Sequence, residues 1–388
     1  MRNYHVCIVC ESWESGGIEA FLSNVLLHMD REYIKVDVVA AQVRESVFTQ
    51  RLQAAGIRFI ELSGSLRRVC SSYRMFRKLL RETRYDVVHL NAFQGMSLNY
   101  VRLAAIEGVP VRIAHSHNTA LRQSRTKEIK YIVHAVCKRL FSKYATEYWA
   151  CSAKAAQFMF PSDIVNSRSV QLIPNGIDIE RFQRSSAGRE KIRLALGIRP
   201  EQFVIGNVGR FCYQKNQSFL IDIFAEVQKR LPDSVMLLVG DGREKDNMER
   251  QSERLGLQDQ IIFYGTTDQV ERLFWAMDVF TFPSRFEGFG IVVLEAQAAG
   301  LPVVCSDQVP EEARFLPATH VLSLEAGAEK WAEQILLVRG ETSNQSAAIQ
   351  RAGFAIQDVA QRIRDSYIQS ESGFTTVERC RARGSAGP

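Results

Sequence analysis

Two glutamates eight positions apart frame the stretch of this chain richest in chemistry. They are Glu287 and Glu295 in Pro283-Ser-Arg-Phe-Glu-Gly-Phe-Gly-Ile-Val-Val-Leu-Glu-Ala-Gln-Ala-Ala-Gly300. Between them, Gly288, Phe289, Gly290 and Ile291 read as a glycine-rich loop opening a helix, with Gly300 as its C-terminal stop ahead of Pro302. A helix start offers unpaired N–H groups and a partial positive charge, which suit a phosphate. Carboxylates on either side accept hydrogen bonds from hydroxyls, so the combination suits a sugar nucleotide. Two cations stand upstream. Arg210 ends the strand pattern Phe203–Phe211, and Lys215 precedes the amphipathic pattern Ser218–Arg230. Both are placed to hold a diphosphate. In the first half, Gly16-Gly17 lies in the first strand-to-helix turn, where a backbone can approach a ligand closely. The pattern is not G-x-G-x-x-G, so it does not support a dinucleotide site. The cluster His115-Ser-His-Asn118 follows a strand pattern. Its two histidines could bind a metal or contact a sugar or acceptor. No nearby carboxylate or cysteine completes a ligand set, and His117 is the preferred contact residue.

These residues need strands and helices to position them. Strand patterns run over His5–Cys10, Lys35–Ala40, Arg58–Glu61, Val87–Leu90 and Val111–Ala114. Helical patterns run over Gly17–Met29, Glu45–Ala55, Ser72–Glu82 and Gly95–Glu107 between them. Alternation with near-continuous apolar strands predicts a parallel, doubly wound α/β sheet. The same rhythm resumes at Phe203, so two facing Rossmann-like domains with a cleft between them are expected. The boundaries read as 1–178, a polar helical linker 179–197, a second domain 198–355, a helix 356–370 that could return to the first domain, and a basic tail 371–388.

Composition narrows the class. With 388 residues and 46% hydrophobic content, two cores are affordable. No stretch is long and apolar enough to span a bilayer, and the first strand lacks a leader's features. The eight cysteines show no disulfide or metal spacing and read as reduced thiols of a cytoplasmic protein. The net charge of +6 is concentrated in two helical patterns of the first half. One holds Arg67, Arg68, Arg74, Arg77, Lys78, Arg81 and Arg84. The other holds Arg122, Arg125, Lys127, Lys130, Lys138, Arg139 and Lys143. Either these are solvated faces, or they meet an anionic membrane surface or lipid diphosphate. Nucleic acid is not expected, because no aromatic platform or recognised motif accompanies the charge.

Taken together, the motifs resemble the retaining GT-B glycosyltransferases of family 4, in the branch found in capsule and exopolysaccharide biosynthesis. The carriers are Gly16-Gly-Ile-Glu19, Arg112-Ile-Ala-His-Ser-His-Asn118, Ala150-Cys-Ser152 and Ile173-Pro-Asn-Gly-Ile-Asp178. In the second half they are Val208-Gly-Arg-Phe211, Gln214-Lys-Asn216, Val239-Gly-Asp-Gly242 and Pro283–Pro302. The resemblance implies transfer of a sugar from a nucleotide-diphosphate donor, UDP foremost, to a hydroxyl of a lipid-linked saccharide such as a polyprenyl diphosphate carrier. It places the enzyme at the inner membrane face. It assigns Arg210, Lys215 and the amides of Gly288 to Ile291 to the diphosphate, Glu287 to the donor sugar and Glu295 to the ribose. His117 would position sugar or acceptor, and Gly16-Gly17 would approach the donor phosphate or acceptor. No D-x-D pair is present, so no metal cofactor is expected. The stretch after Asp307 departs from the family in lacking its glycine-containing loop. Nucleotide-sugar epimerisation and a non-catalytic binding subunit are the competing functions.

Overall fold

The computed structural model describes residues 2–14, 16–62, 69–121 and 126–368. Ser15, Arg67, Arg68, Arg122, Arg125 and the expected tail 371–388 lie outside the described residues. The chain forms two compact units, one of residues 1–176 with 356–388 and one of residues 177–355.

The first unit is built on β1 (Tyr4–Cys10), β2 (Ile34–Ala40), β3 (Arg58–Glu61), β4 (Val87–Ala92), β5 (Val111–Ser116), β6 (Glu147–Ala150) and β7 (Val170–Leu172). They pair in parallel in the order β3-β2-β1-β4-β5-β6-β7. The central strands are apolar on both faces because helices cover both, and Val6 to Cys10 are all buried. The pattern expected as one helix over Gly95–Glu107 is a 3-10 turn at Gly95–Leu98 continued by a helix at Asn99–Ile106. Residues 356–368 form a further helix. Its Ile356, Val359, Ala360, Ile363 and Tyr367 belong to the same core cluster as Val6, Ile8 and Trp149.

The second unit contains β8 (Phe203–Val208), β9 (Ser234–Val239), β10 (Ile261–Gly265), β11 (Val279–Phe282), β12 (Val303–Ser306) and β13 (Thr319–Leu322). All pairs are parallel, in the order β10-β9-β8-β11-β12-β13. The strand order reverses between β8 and β11, and in open sheets of this kind ligands bind beyond the carboxyl ends of the strands at that point.

Residues 179–197, expected as a linker, are part of this unit. They form helices at Ile179–Phe182 and Ser186–Ala195, each started by a side-chain cap, Asp178 to Arg181 N and Ser185 to Gly188 N. Arg193 is buried and donates to Asp278 Oδ2 at 2.6 Å, while Arg189 donates to Oδ1 of the same carboxylate at 2.6 Å. A buried arginine with a shared carboxylate fixes a helix in place. A polar helical pattern conceals it, because the sequence shows the charge and not the partner 85 residues away.

Candidate functional site

The second-half cluster assembles at the β8/β11 reversal. The loop after β8 carries Arg210 and Lys215, the loop after β11 carries Glu287, and these strands are hydrogen-bonded neighbours. Lys215 Nζ lies 2.7 Å from Glu287 Oε1 and 4.6 Å from the centre of the Phe282 ring. The carboxylate is only 6% exposed and the lysine 16%. Three further bonds stitch the loops. Arg285 N donates to Gln214 O at 2.8 Å, Gln214 Nε2 to Phe286 O at 3.0 Å, and Asn216 Nδ2 to Pro283 O at 3.1 Å. Asn216 takes a left-handed conformation at φ 58°, which asparagine tolerates better than most residues. It brings the chain from Lys215 into the helix Gln217–Arg230.

Arg210 lies in the loop rather than in the strand, which ends at Val208. Its side chain is exposed. The loop is held from the β9 side, where Gly209 N donates to Val239 O and Phe211 N to Asp241 O, both at 2.9 Å. Glycine is required there. A Cβ on Gly240 would stand 2.1 Å from Gly209 O, and one on Gly242 would stand 2.2 Å from Phe211 O. The Gly-Asp-Gly turn is the cradle in which the Arg210 loop sits.

Gly290 opens the helix Ile291–Ala298 from a left-handed conformation, φ 88° and ψ 51°. Gly300, at φ 75°, closes it with two bonds, Leu301 N to Ala296 O and Gly300 N to Gln297 O, both 3.0 Å. Seven of the eight helical residues are fully buried, and Glu295 keeps only part of its surface exposed while its carboxyl is desolvated among them. Burial pushes its carboxyl up from 4.5 to about 7, with Arg181 opposing the rise and Glu271 adding to it. Arg181 donates to Glu271 Oε2 at 2.8 Å, so its charge is shared.

The folded state therefore holds a proton on Glu295 between about pH 4.5 and 7 that the unfolded chain releases. More protons bound when folded means stability that falls as pH rises through that window. Glu295→Gln removes the dependence. Melting temperatures from pH 5 to pH 8 should show wild type losing ground to the variant, and parallel curves would refute the shift.

The first-half candidates form their own cluster. Gly16 is extended, at φ −149°, and precedes the helix Gly17–His28. A Cβ on Gly17 would meet nothing within 4 Å. Neither the φ of Gly16 nor the space around Gly17 demands glycine. Phe21 of that helix lies 5.6 Å from the His117 ring, centre to centre. His117 follows β5 directly and is buried, and its Nε2 donates to Asn91 Oδ1 at 2.9 Å. Its Nδ1 is then an acceptor, without a partner among the described residues. Burial lowers its pKa to about 3, so the ring is neutral at physiological pH. The His115 ring lies tilted against it, 4.0 Å centre to centre, and reaches, through Nδ1, His89 Nε2 at 3.2 Å. His89 Nδ1 in turn meets the Tyr367 hydroxyl at 2.7 Å.

The structure thus places Arg210, Lys215, Glu287, Gly288, Phe289, Gly290, Ile291 and Glu295 in the second unit, and Gly16, Gly17 and His117 in the first. The sequence reading passed over Asn91 and Glu11. Glu11 directly follows β1, accepts from Ser97 Oγ and, at 3.4 Å, from Gln94 Nε2, and burial raises its pKa. A carboxylate directly after the first strand was the available signal. Among the described residues, no group of three or more His, Cys, Asp or Glu side chains is placed to hold a metal.

Comparison with known proteins identifies a family and a fold. The family described as Glycosyl transferases group 1 matches residues 188–347, and Glycosyltransferase Family 4 matches residues 15–181. The putative glycosyltransferase EpsF of Bacillus subtilis is 30% identical over 84% of this chain and 85% of its own. The UDP-Gal:alpha-D-GlcNAc-diphosphoundecaprenol alpha-1,3-galactosyltransferase of Escherichia coli is 28% identical over 59% of this chain and 60% of its own. Among solved structures, HepE of Anabaena in complex with UDP-glucose superposes with a TM-score of 0.78 at 21% identity. It covers 94% of this chain and 99% of HepE. Sucrose-phosphate synthase of Thermosynechococcus elongatus gives 0.76 at 16% identity, over 96% and 100%. At these identities the two superpositions speak to the fold.

Proposed function

The chain belongs to the family 4 glycosyltransferases of the GT-B fold, and from that premise we propose that it transfers a sugar, with retention, from a UDP-sugar to a hydroxyl of a lipid-linked saccharide in exopolysaccharide or capsule biosynthesis. The observation that carries the donor side is the meeting of two loops at the β8/β11 reversal, one cationic and one acidic, joined by the Lys215–Glu287 pair. Arg210 and Lys215 neutralise the diphosphate as it departs, and the amides of Gly288 to Ile291 share that charge. Because two cations, Arg210 and Lys215, meet the leaving group, no divalent metal is needed, and a chelator should leave the rate unchanged. Glu287 binds hydroxyls of the donor sugar, and Glu295 binds the ribose. His117, neutral with a free acceptor nitrogen, orients a hydroxyl of sugar or acceptor beside the Gly16-Gly17 turn.

UDP is favoured because HepE, of like fold, was solved with UDP-glucose, and because the Escherichia coli relative's name specifies UDP-Gal. That relative also acts on a diphosphoundecaprenol acceptor, which supports the lipid-linked saccharide. Calorimetry with UDP and GDP tests the donor, and NMR of the product's anomeric carbon tests retention. Inversion, or tight GDP uptake without UDP uptake, would overturn the reading. An epimer formed from donor alone would replace the transferase with an epimerase. Among the described residues no helix is long and apolar enough to cross a membrane.

A further inference from the structure

The helix Lys127–Phe141 turns its apolar side outward. Ile129, Ile132, Val133, Val136 and Leu140 recur at helical spacing and are 40 to 65% exposed. At 100° per residue they form one stripe about 100° wide. The opposite side is fastened to the domain. Gly95 N donates to His134 Nδ1 at 2.8 Å, and His134 Nε2 meets Phe158 O at 2.9 Å. Lys138 Nζ donates to the same carbonyl at 3.0 Å. A Cβ on Gly95 would stand 2.3 Å from His134 O, so the helix lies directly on that backbone. The stripe therefore cannot be turned inward by a small rotation.

Exposed Lys130 and Arg139 flank it on either side, with exposed Lys127 at the helix start and Lys143 just past its end, against Glu128 as the only acid in this stretch. None of the four is ion-paired among the described residues. The other basic helix of this unit, Val69–Glu82, differs: its Arg77 and Arg81 both bind Glu107, and Lys78 faces Glu82 at 3.6 Å.

We propose that Lys127–Phe141 is a docking surface for an anionic lipid bilayer, lying in the interface with its stripe toward the acyl chains and its cations among the headgroups. Apolar insertion and headgroup attraction are the two contributions such a helix supplies. Charge complementarity selects this occupant. A second copy laid stripe to stripe would bring like-charged rims together, whereas anionic headgroups neutralise them. The surface goes beyond the proposed reaction and can be tested apart from it.

The test is sedimentation of the full-length protein with vesicles of phosphatidylcholine plus phosphatidylglycerol, and of phosphatidylcholine alone. Wild type should sediment with the anionic vesicles, less so as salt rises. The doubles Ile132→Asp/Val136→Asp and Lys130→Glu/Arg139→Glu should each lower partitioning by roughly tenfold or more. All four positions are exposed, and circular dichroism with melting temperature checks that the fold is kept. UDP titration of the same samples reports on the nucleotide site. Wild type that sediments without taking up UDP supports the docking surface and counts only against the nucleotide reading. Wild type that stays in solution at low salt, or a stripe variant that sediments like wild type, overturns the proposal. So does a dimer that the stripe variant splits while vesicles bind neither form.

Discussion

Lys215→Ala should lower kcat by roughly 100- to 1,000-fold, the range seen when one preorganised donor to a developing negative charge is removed. The lysine is held by a 2.7 Å pair with Glu287 and by the face of Phe282, so it is oriented before any ligand arrives. That preorganisation makes its charge effective, since no reorientation is needed as the diphosphate leaves. The same pairing complicates the variant, because Glu287 stays buried without its cation. Loss of that partner should cost roughly 1 to 3 kcal/mol of stability. The two effects separate in a double variant. Lys215→Ala/Glu287→Ala also removes the buried carboxylate and should recover part of the melting temperature, as coupled neighbours do. It should recover none of the activity. Steady-state rates at saturating donor, read beside thermal melts, decide the matter. A single variant within about threefold of wild-type kcat would remove Lys215 from the chemistry.

How much of this was legible in the sequence depends on the range of the interaction. The central strands of both sheets announced themselves because strands buried on both faces read as unbroken apolar runs, as Val6 to Cys10 does, whereas the part-exposed edge strand β13 gives no such run and was not expected. The helix after Glu287 was legible from Gly290 and Gly300, each set by local backbone demands. Contacts across the fold were not. Lys215 and Glu287 are 72 residues apart, and only the strand order makes them neighbours. The role of Gly240 and Gly242 was hidden for the same reason: each is required by a backbone more than thirty residues upstream.

The helix Lys127–Phe141 misleads in a different way. Amphipathic spacing ordinarily means that the apolar stripe faces the core. Here His134 and Lys138 occupy the inner face through hydrogen bonds to backbone groups. The sequence shows the stripe and the charges, and only the structure shows which side is free.

Gly242→Ala tests whether the cradle beneath Arg210 matters to the reaction rather than to folding alone. The added methyl would sit 2.2 Å from Phe211 O and 2.8 Å from Phe211 N, both backbone atoms, so the loop Gly209–Phe211 must move. A displacement of about 1 Å in a group that positions a reacting centre can cost on the order of 100-fold in rate. We expect that loss in kcat/KM, with donor affinity weakened because Arg210 rides on the displaced loop. Gly256→Ala is the matched control. Gly256 also has a positive φ, 69°, but a Cβ there meets nothing within 4 Å. It should lose roughly 1 kcal/mol from backbone strain and leave the rate unchanged. If both variants lose stability alike and both keep full activity, Arg210 needs no fixed platform. If Gly242→Ala alone loses the rate while its melt stays close to that of the control, the Gly-Asp-Gly turn acts by aiming a cation at the leaving diphosphate.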